Sequence, residues 1–210
     1  MKKFLILVAA LFFSFTIYFW DYIKQPQALA SDWKMAFRDR YSQMLLGHRY
    51  DHGEGVAKNK ERAVYWFTIA AKRGDVDAMH YLANILDEHP TTMPEAMYWY
   101  EKAANTPGLE ESYKAHLLQD LNYLQFNLGG AYMDGAEVKK DRKKGLELLE
   151  KSASKKGAET PQITLAIMYA TGMKGVEKDK AKALYWANLA KEEGSRRADV
   201  LIEEIHKAFP

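Results

Sequence analysis

Leucine and tyrosine recur four residues apart in a pattern that returns along the chain. In its first occurrence Leu46 is followed by Gly47, Tyr50 and Gly53. Residues four apart lie on one face of a helix, and a glycine or alanine after the leucine lets a partner helix approach closely. The pattern therefore predicts a helix that packs through this face and ends at the glycine. The equivalent leucines are Leu82, Leu128 and Leu165, at offsets of 36, 46 and 37 residues.

A second pattern follows each of these helices and predicts its partner. Ala63 precedes Trp66 by three residues, Ala70 and Ala71 follow, and Gly74 closes the segment. The small residue and the aromatic form a notch and a knob, and the glycine supplies a left-handed helix cap. The equivalent pairs are Ala96 and Trp99, Gly145 and Leu148, and Ala183 and Trp186. The predicted N-caps of second helices are Asn59, Asp141 and Asp179.

Together these patterns predict four helical hairpins, each with an apolar face that stacking buries. The units cover about residues 42–77, 78–114, 115–159 and 160–198, and residues 199–210 are predicted to be a C-terminal capping helix. A helix starting near Trp33 is expected to carry Phe37 and Tyr41 into the first unit. Two departures predict a bend or a functional loop: residues 88–94 replace the glycine turn of unit two, and residues Thr106 to Asp120 are inserted before unit three.

The stretch from Leu46 to Gly74 resembles the Sel-one-like repeat, a relative of the tetratricopeptide repeat, nearly throughout. The resemblance extends over about residues 42–198 and is weakest in unit two. It implies an all-α protein, a right-handed α-solenoid of about four antiparallel helix pairs. It also implies binding of other proteins, often outside the bacterial cytoplasm, with no catalysis of its own.

The N-terminus predicts export. Lys2 and Lys3 precede an uncharged run from Phe4 to Trp20, which as a helix spans about 25 Å. We expect an uncleaved signal-anchor that holds the following chain on the outer, periplasmic side of the inner membrane. The alternative is a signal peptide cleaved near Ala30, which releases a soluble periplasmic or secreted protein. The predicted organisation is residues 1–24 as anchor or signal, 25–32 as linker and 33–210 as repeat domain.

Composition narrows the possible partners. The chain has 210 residues, of which 48% are hydrophobic and 28% charged, with a formal net charge of +2. Because the two signs are spread throughout, we expect no nucleic-acid partner. Cysteine is absent from the sequence, which excludes disulfides and thiolate metal sites. We expect no small-molecule cofactor.

The resemblance also suggests where a partner binds. In the related tetratricopeptide repeats, the face of the first helices opposite the packing face lines a concave groove. Aromatic, Met and His side chains beside carboxylates are suited to holding a peptide. The equally weighted alternative is that half of these positions are simply a solvated helix face. The predicted groove residues are Tyr41, Met44, His48, Asp51, His52, His80, Tyr81, Asn84, Asp87, Glu88, Tyr123 and Phe126.

Chemical alternatives have weaker support in the sequence. His48 and His52 are four residues apart beside Asp51, but the glutamate of an HExxH motif is missing, so we expect no metal site. Adjacent carboxylates such as Glu110 and Glu111 diverge on a helix. The basic cluster from Lys139 to Lys144 is expected to be solvated or, near an anchor, to touch anionic lipid.

The sequence therefore favours a non-enzymatic interaction scaffold, or adaptor, whose partner is another protein or peptide. If the signal-anchor is uncleaved, residues 4–20 also contact the membrane. A cell-wall hydrolase is the alternative from another functional class. It needs a convergent acid and base pair that the pattern of residues does not supply.

Overall fold

The computed structural model describes residue 36 and residues 39–209, and every regular element in that part of the chain is helical. The all-α prediction is confirmed for these residues. The helices are α1 (Arg40–His52), α2 (Lys60–Lys72), α3 (Val76–Leu86), α4 (Met93–Ala104), α5 (Glu111–Asp134), α6 (Arg142–Ala153), α7 (Glu159–Thr171), α8 (Lys180–Glu192) and α9 (Arg196–Ala208), with a 3₁₀ turn at Met173–Gly175 between α7 and α8.

The chain divides within α3 into two compact units, the first ending at Leu82 and the second beginning at Ala83. In the first unit α1 packs against α2. In the second, each helix from α4 to α9 packs against the next along the chain, and α9 also contacts α7. The predicted core positions are buried: Leu46 and Tyr50 in the first unit, and Leu128 and Leu165 in the second.

The first described helix begins later than the sequence suggests. Asp39 has an extended backbone and its carboxylate accepts a hydrogen bond from the backbone N–H of Ser42 at 2.7 Å, which makes it the N-cap of α1. A continuous helix from Trp33 through Tyr50 is therefore wrong. The cause is local: an N-cap aspartate satisfies a first-turn N–H that has no partner inside the helix.

The predicted caps of the second helices are confirmed. Asn59, Asp141 and Asp179 each accept from the backbone N–H three residues later, at 2.9, 3.0 and 3.0 Å. The glycines predicted to follow these helices have positive φ angles, +86° at Gly74 and +94° at Gly194 among them. Residues other than glycine rarely adopt a positive φ angle. Backbone sterics therefore explain why glycine ends these helices.

Glycine after the repeat leucine has the predicted packing role. A Cβ built on Gly47 would lie 2.6 Å from the ring of Phe67. In the second unit, Gly129 and Gly145 face each other, and a Cβ on either would lie 3.0 or 2.8 Å from the other's carbonyl oxygen. The small residues therefore let α1 approach α2, and α5 approach α6, at backbone distance.

Most of the insertion before unit three is helical, and only its first residues, Thr106 to Glu110, belong to a turn. Only the turn at residues 105–110 separates α4 from α5, and α5 then runs without interruption for 24 residues. The added turns are packed, since Leu117 is fully buried, and Leu121, directly after them, is 8% exposed. The residues after Glu110 lengthen the first helix of unit three instead of forming a loop.

The C-terminal helix packs through few residues. Ala198 and Ile205 are buried, and Leu201 and Ile202 pack beside the core of the second unit.

Within residues 39–209 no helix combines the length and apolarity needed to cross a bilayer. The predicted anchor, residues 1–24, and the linker, residues 25–32, lie outside the described residues.

Candidate functional site

In units one, three and four, the turn between the paired helices is closed by the same backbone hydrogen bond. The N–H of the N-cap residue donates to the carbonyl of the repeat tyrosine, from Asn59 to Tyr50 at 2.8 Å and from Asp141 to Tyr132 at 3.0 Å. In unit four the pair is Asp179 and Tyr169, at 2.9 Å. In these three units the bond holds the end of the first helix against the start of the second.

Cations from the second helices cover the tyrosine rings of the first. The guanidinium of Arg62 lies 5.5 Å from the centroid of Tyr50, and Lys144 Nζ lies 4.4 Å from that of Tyr132. Lys182 repeats the contact on Tyr169, at 4.9 Å. The sequence patterns did not single out these cations, although each lies 12 or 13 residues after its tyrosine. Their recurrence identifies them as parts of the repeat.

In the first unit, histidine and aromatic rings form one surface cluster. The rings of His48 and His52 stack, with centroids 4.1 Å apart, and His48 meets the edge of Tyr81 at 5.7 Å. Tyr81 in turn stacks on Phe67 at 5.3 Å. The cluster thus joins residues of α1 and α3 over the buried Phe67.

The imidazoles of this cluster are held by polar neighbours. His52 Nδ1 donates to the carbonyl oxygen of His48 at 3.1 Å, an assignment that follows because a carbonyl can only accept. His48 Nδ1 lies 3.6 Å from a carboxylate oxygen of Glu54, and His52 Nδ1 lies 3.5 Å from Asp51. The cluster offers aromatic faces flanked by carboxylates, which suits recognition of a peptide.

In the second unit, Tyr100 links two predicted site residues. Its hydroxyl donates to Asn84 Oδ1 and, at 3.4 Å, to Asp87 Oδ2. Burial raises the pKa of the Asp87 carboxyl, while the hydrogen bond from Tyr100 acts in the opposite direction. Burial also raises the pKa of Tyr100, and the negative charge of Asp87 adds to that shift. Because Tyr100 is 1% exposed, this cluster secures α3 to α4.

An open groove of about 380 Å³ lies on the second unit. Its walls come from α5 and α7, the first helices of units three and four, with Phe126 on one side and Ile167 on the other. Lys174 reaches Asp134 at 2.6 Å near the 3₁₀ turn. The remaining lining residues are Asn127, Gly130, Leu149, Thr164, Met168 and Met173.

The predicted site residues differ in exposure. Tyr41, His52, Asn84, Glu88 and Tyr123 are exposed, and His48, Asp51, His80, Tyr81, Asp87 and Phe126 are half-buried. Met44 is 6% exposed and offers almost no surface to a partner. The turn of α1 that carries it is covered on several sides, since Ser42 and Gln43 are also buried. The structure groups His48, His52 and Tyr81 in the first unit, and Asn84 with Asp87 in the second.

The groove contains residues that the repeat pattern did not mark. Gly130, Ile167 and Met173 line it, yet none belongs to the predicted site. One signal was available for Gly130, because unit three has two successive glycines after its leucine where unit one has a single glycine.

Comparison with known proteins identifies relatives of this chain. The Sel1-repeat-containing protein YjcO of Escherichia coli strain K12 is 29% identical over 199 residues, covering 80% of this chain and 84% of YjcO. A Sel1 repeat protein from Oxalobacter formigenes has a crystal structure with 29% identity and a TM-score of 0.43, covering 76% of this chain and 60% of that one.

A second solved structure is that of c5321, a protective antigen present in uropathogenic Escherichia coli strains and displaying an SLR fold. Its identity to this chain is 28% and its TM-score 0.42, with 81% of this chain and 38% of the antigen covered. The chain therefore spans less than two thirds of the length of either solved protein.

The family model for the Sel1 repeat matches residues 40–75, 93–105, 123–156 and 162–195. These segments make up more than half of the chain. In unit two the match is confined to residues 93–105, which are α4 and the residue after it. The glycine turn that precedes the second helix in the other units is missing there. The resemblance inferred from Leu46 to Gly74 is confirmed, and the chain belongs to the Sel1 repeat family.

Proposed function

We propose that this protein is a non-enzymatic adaptor that binds a partner protein or peptide through the first helices of its repeats. Sel1 repeat proteins typically act in protein–protein interaction and are in general not enzymes. The observation that supports the proposal best is the groove between α5 and α7, because two first helices leave an open apolar surface there. Open clefts lined by apolar and aromatic side chains are common binding sites.

The first unit adds a second candidate surface. His48 and Tyr81 present half-buried rings beside Glu54. Aromatic anchors at the edge of buried clusters contribute strongly to interfaces because they bury much area at little conformational cost. Each surface is proposed as a binding site in its own right, within the α-solenoid and the repeat bounds predicted from the sequence.

Affinity capture with the full chain as bait tests the adaptor proposal. We expect Phe126→Ala, or the pair His48→Ala and Tyr81→Ala, to weaken binding of the captured partner by about tenfold or more. The matched control is Tyr185→Ala, an aromatic residue 60% exposed on α8, which should leave binding within about twofold. Unchanged binding by both the Phe126 variant and the His48 and Tyr81 double variant contradicts the assignment of these surfaces.

We further propose that the protein acts on the outer side of the bacterial inner membrane, held by residues 4–20. The support is the charge and apolar pattern of the N-terminus. Sequencing the mature protein from membranes tests this: a chain that begins at Met1 agrees with the anchor. A chain that begins at Ser31 instead selects the soluble periplasmic alternative.

A further inference from the structure

No neighbour among the described residues explains the glycine at position 130. A Cβ at the preceding Gly129 would lie 2.9 Å from Leu149, so α6 explains that glycine, whereas a Cβ at Gly130 would meet nothing within 4 Å. Gly130 lies inside α5, where glycine destabilises a helix relative to alanine. The bare backbone at this point opens onto the groove.

The surroundings of Gly130 are apolar. Phe126 lies one helical turn before it on α5, and Ile167 and Met168 face it from α7. Lys174 and Asp134 pair with each other, so they present little net charge to an occupant. This part of the groove therefore suits an apolar side chain whose backbone approaches α5 closely.

Positively charged side chains line the neighbouring groove, on the other side of Ile167. Ile167 also lines an adjoining open groove of about 370 Å³ between α7 and α9, together with Arg196, Arg197 and Glu204. Neither guanidinium has a hydrogen bond or ion pair with the described part of the chain. Two arginines against one glutamate leave this end positive, and a guanidinium binds a carboxylate through two parallel hydrogen bonds.

We propose that the two grooves, which lie along α5, α7 and α9 and share Ile167, together bind an acidic segment of a partner protein. The segment places an apolar side chain over Gly130 and an Asp or Glu side chain against Arg196 and Arg197. This inference rests on the proposed adaptor function and adds the chemistry of the partner. Charge complementarity selects the partner, and the apolar pocket supplies the anchor.

Selection from random peptides displayed inside a carrier protein, which leaves no free C-terminus, tests the inference on the full chain. The wild type should enrich peptides that combine apolar and acidic residues. Gly130→Leu fills the groove and should reduce the recovery of displayed peptides about tenfold. Gly130→Ala adds a single methyl group and should reduce peptide recovery less than Gly130→Leu. Circular dichroism of each variant verifies that α5 still forms.

Charge reversal tests the acidic preference separately. The double variant Arg196→Glu and Arg197→Glu should lose the acidic peptides about tenfold and enrich peptides with Lys or Arg. The control is Lys155→Glu with Lys156→Glu, the same change in net charge at exposed positions outside the groove lining, which should keep the acidic preference.

The outcomes separate the two proposals. If Gly130→Leu reduces peptide recovery about tenfold but charge reversal leaves the selected peptides unchanged, the groove binds peptides and the acidic preference is wrong. If the wild type enriches no peptides above Gly130→Leu, the groove is not a peptide site, and both this inference and the use of α5 and α7 by the adaptor are overturned.

Discussion

Gly47 lies at a close approach of α1 to α2, where a Cβ would sit 2.6 Å from the Phe67 ring. We expect Gly47→Ala to lower the free energy of unfolding by about 1–3 kcal/mol, because the buried ring has little room to move. Gly130→Ala is the matched control and should raise it by about 0.5–1 kcal/mol. Urea unfolding measures both changes. Equal effects of the two substitutions contradict the close approach.

Asp87 gives the stability a predictable dependence on pH. Burial raises the pKa of its carboxyl in the folded state, so the folded protein binds this proton more tightly than the unfolded chain. The resulting destabilisation is absent below about pH 3.9, the ordinary Asp pKa, and develops as pH rises through the raised folded value.

Asp87→Asn removes the buried charge and should therefore increase the free energy of unfolding at pH 7. The gain should vanish at about pH 3.5, where the wild-type carboxyl is protonated in both states. Glu88→Gln, at the exposed neighbouring position, should have little effect at either pH. Urea unfolding at the two pH values provides the measurement, and a gain that persists at low pH rules out this origin.

At the scale of the element, α5 shows how an insertion is absorbed. Leu117 lies in the added turns and is fully buried, while the adjacent Leu118 is 44% exposed. We expect Leu117→Ala to cost about 2–5 kcal/mol of unfolding free energy. Leu118→Ala should cost about 0.5 kcal/mol or less. Similar costs at both positions, measured by chemical unfolding, contradict a packed extension.

At the scale of the whole molecule, the last repeat of a helical array exposes its apolar face unless a capping helix covers it. We propose that α9 caps the last repeat, since its Ala198 packs with Ile163 and Ala190. A chain ending at Gly194 exposes these apolar positions and should self-associate or unfold at lower urea concentration. Val200→Ser, at a 60% exposed position of α9, should remain as stable as the wild type. Sedimentation velocity measures the self-association of the truncated chain, and urea unfolding measures its stability. A truncated chain that is stable and monomeric contradicts the proposal that α9 is a cap.

Much of the fold could be predicted because its signals are local. Asn59 caps a helix through an N–H three residues away, and Gly74 needs a positive φ wherever it stands in a fold. The repetition of Leu, Tyr and Trp then identifies which helices pair. Less of the candidate site could be predicted: periodicity placed Met44 on the groove face of α1, yet it is buried.

The sequence by itself determined the helical repeats, the N-caps of three second helices and the family, because these depend on residues within about one helical turn or on a recurring spacing. Only the tertiary structure decided which surfaces stay open. Phe126 and Ile167 come from different helices, and Gly130 is distinguished from Gly129 only by the absence of a neighbour. Exposure and grooves depend on how helices distant in sequence pack, which no local pattern of residues specifies.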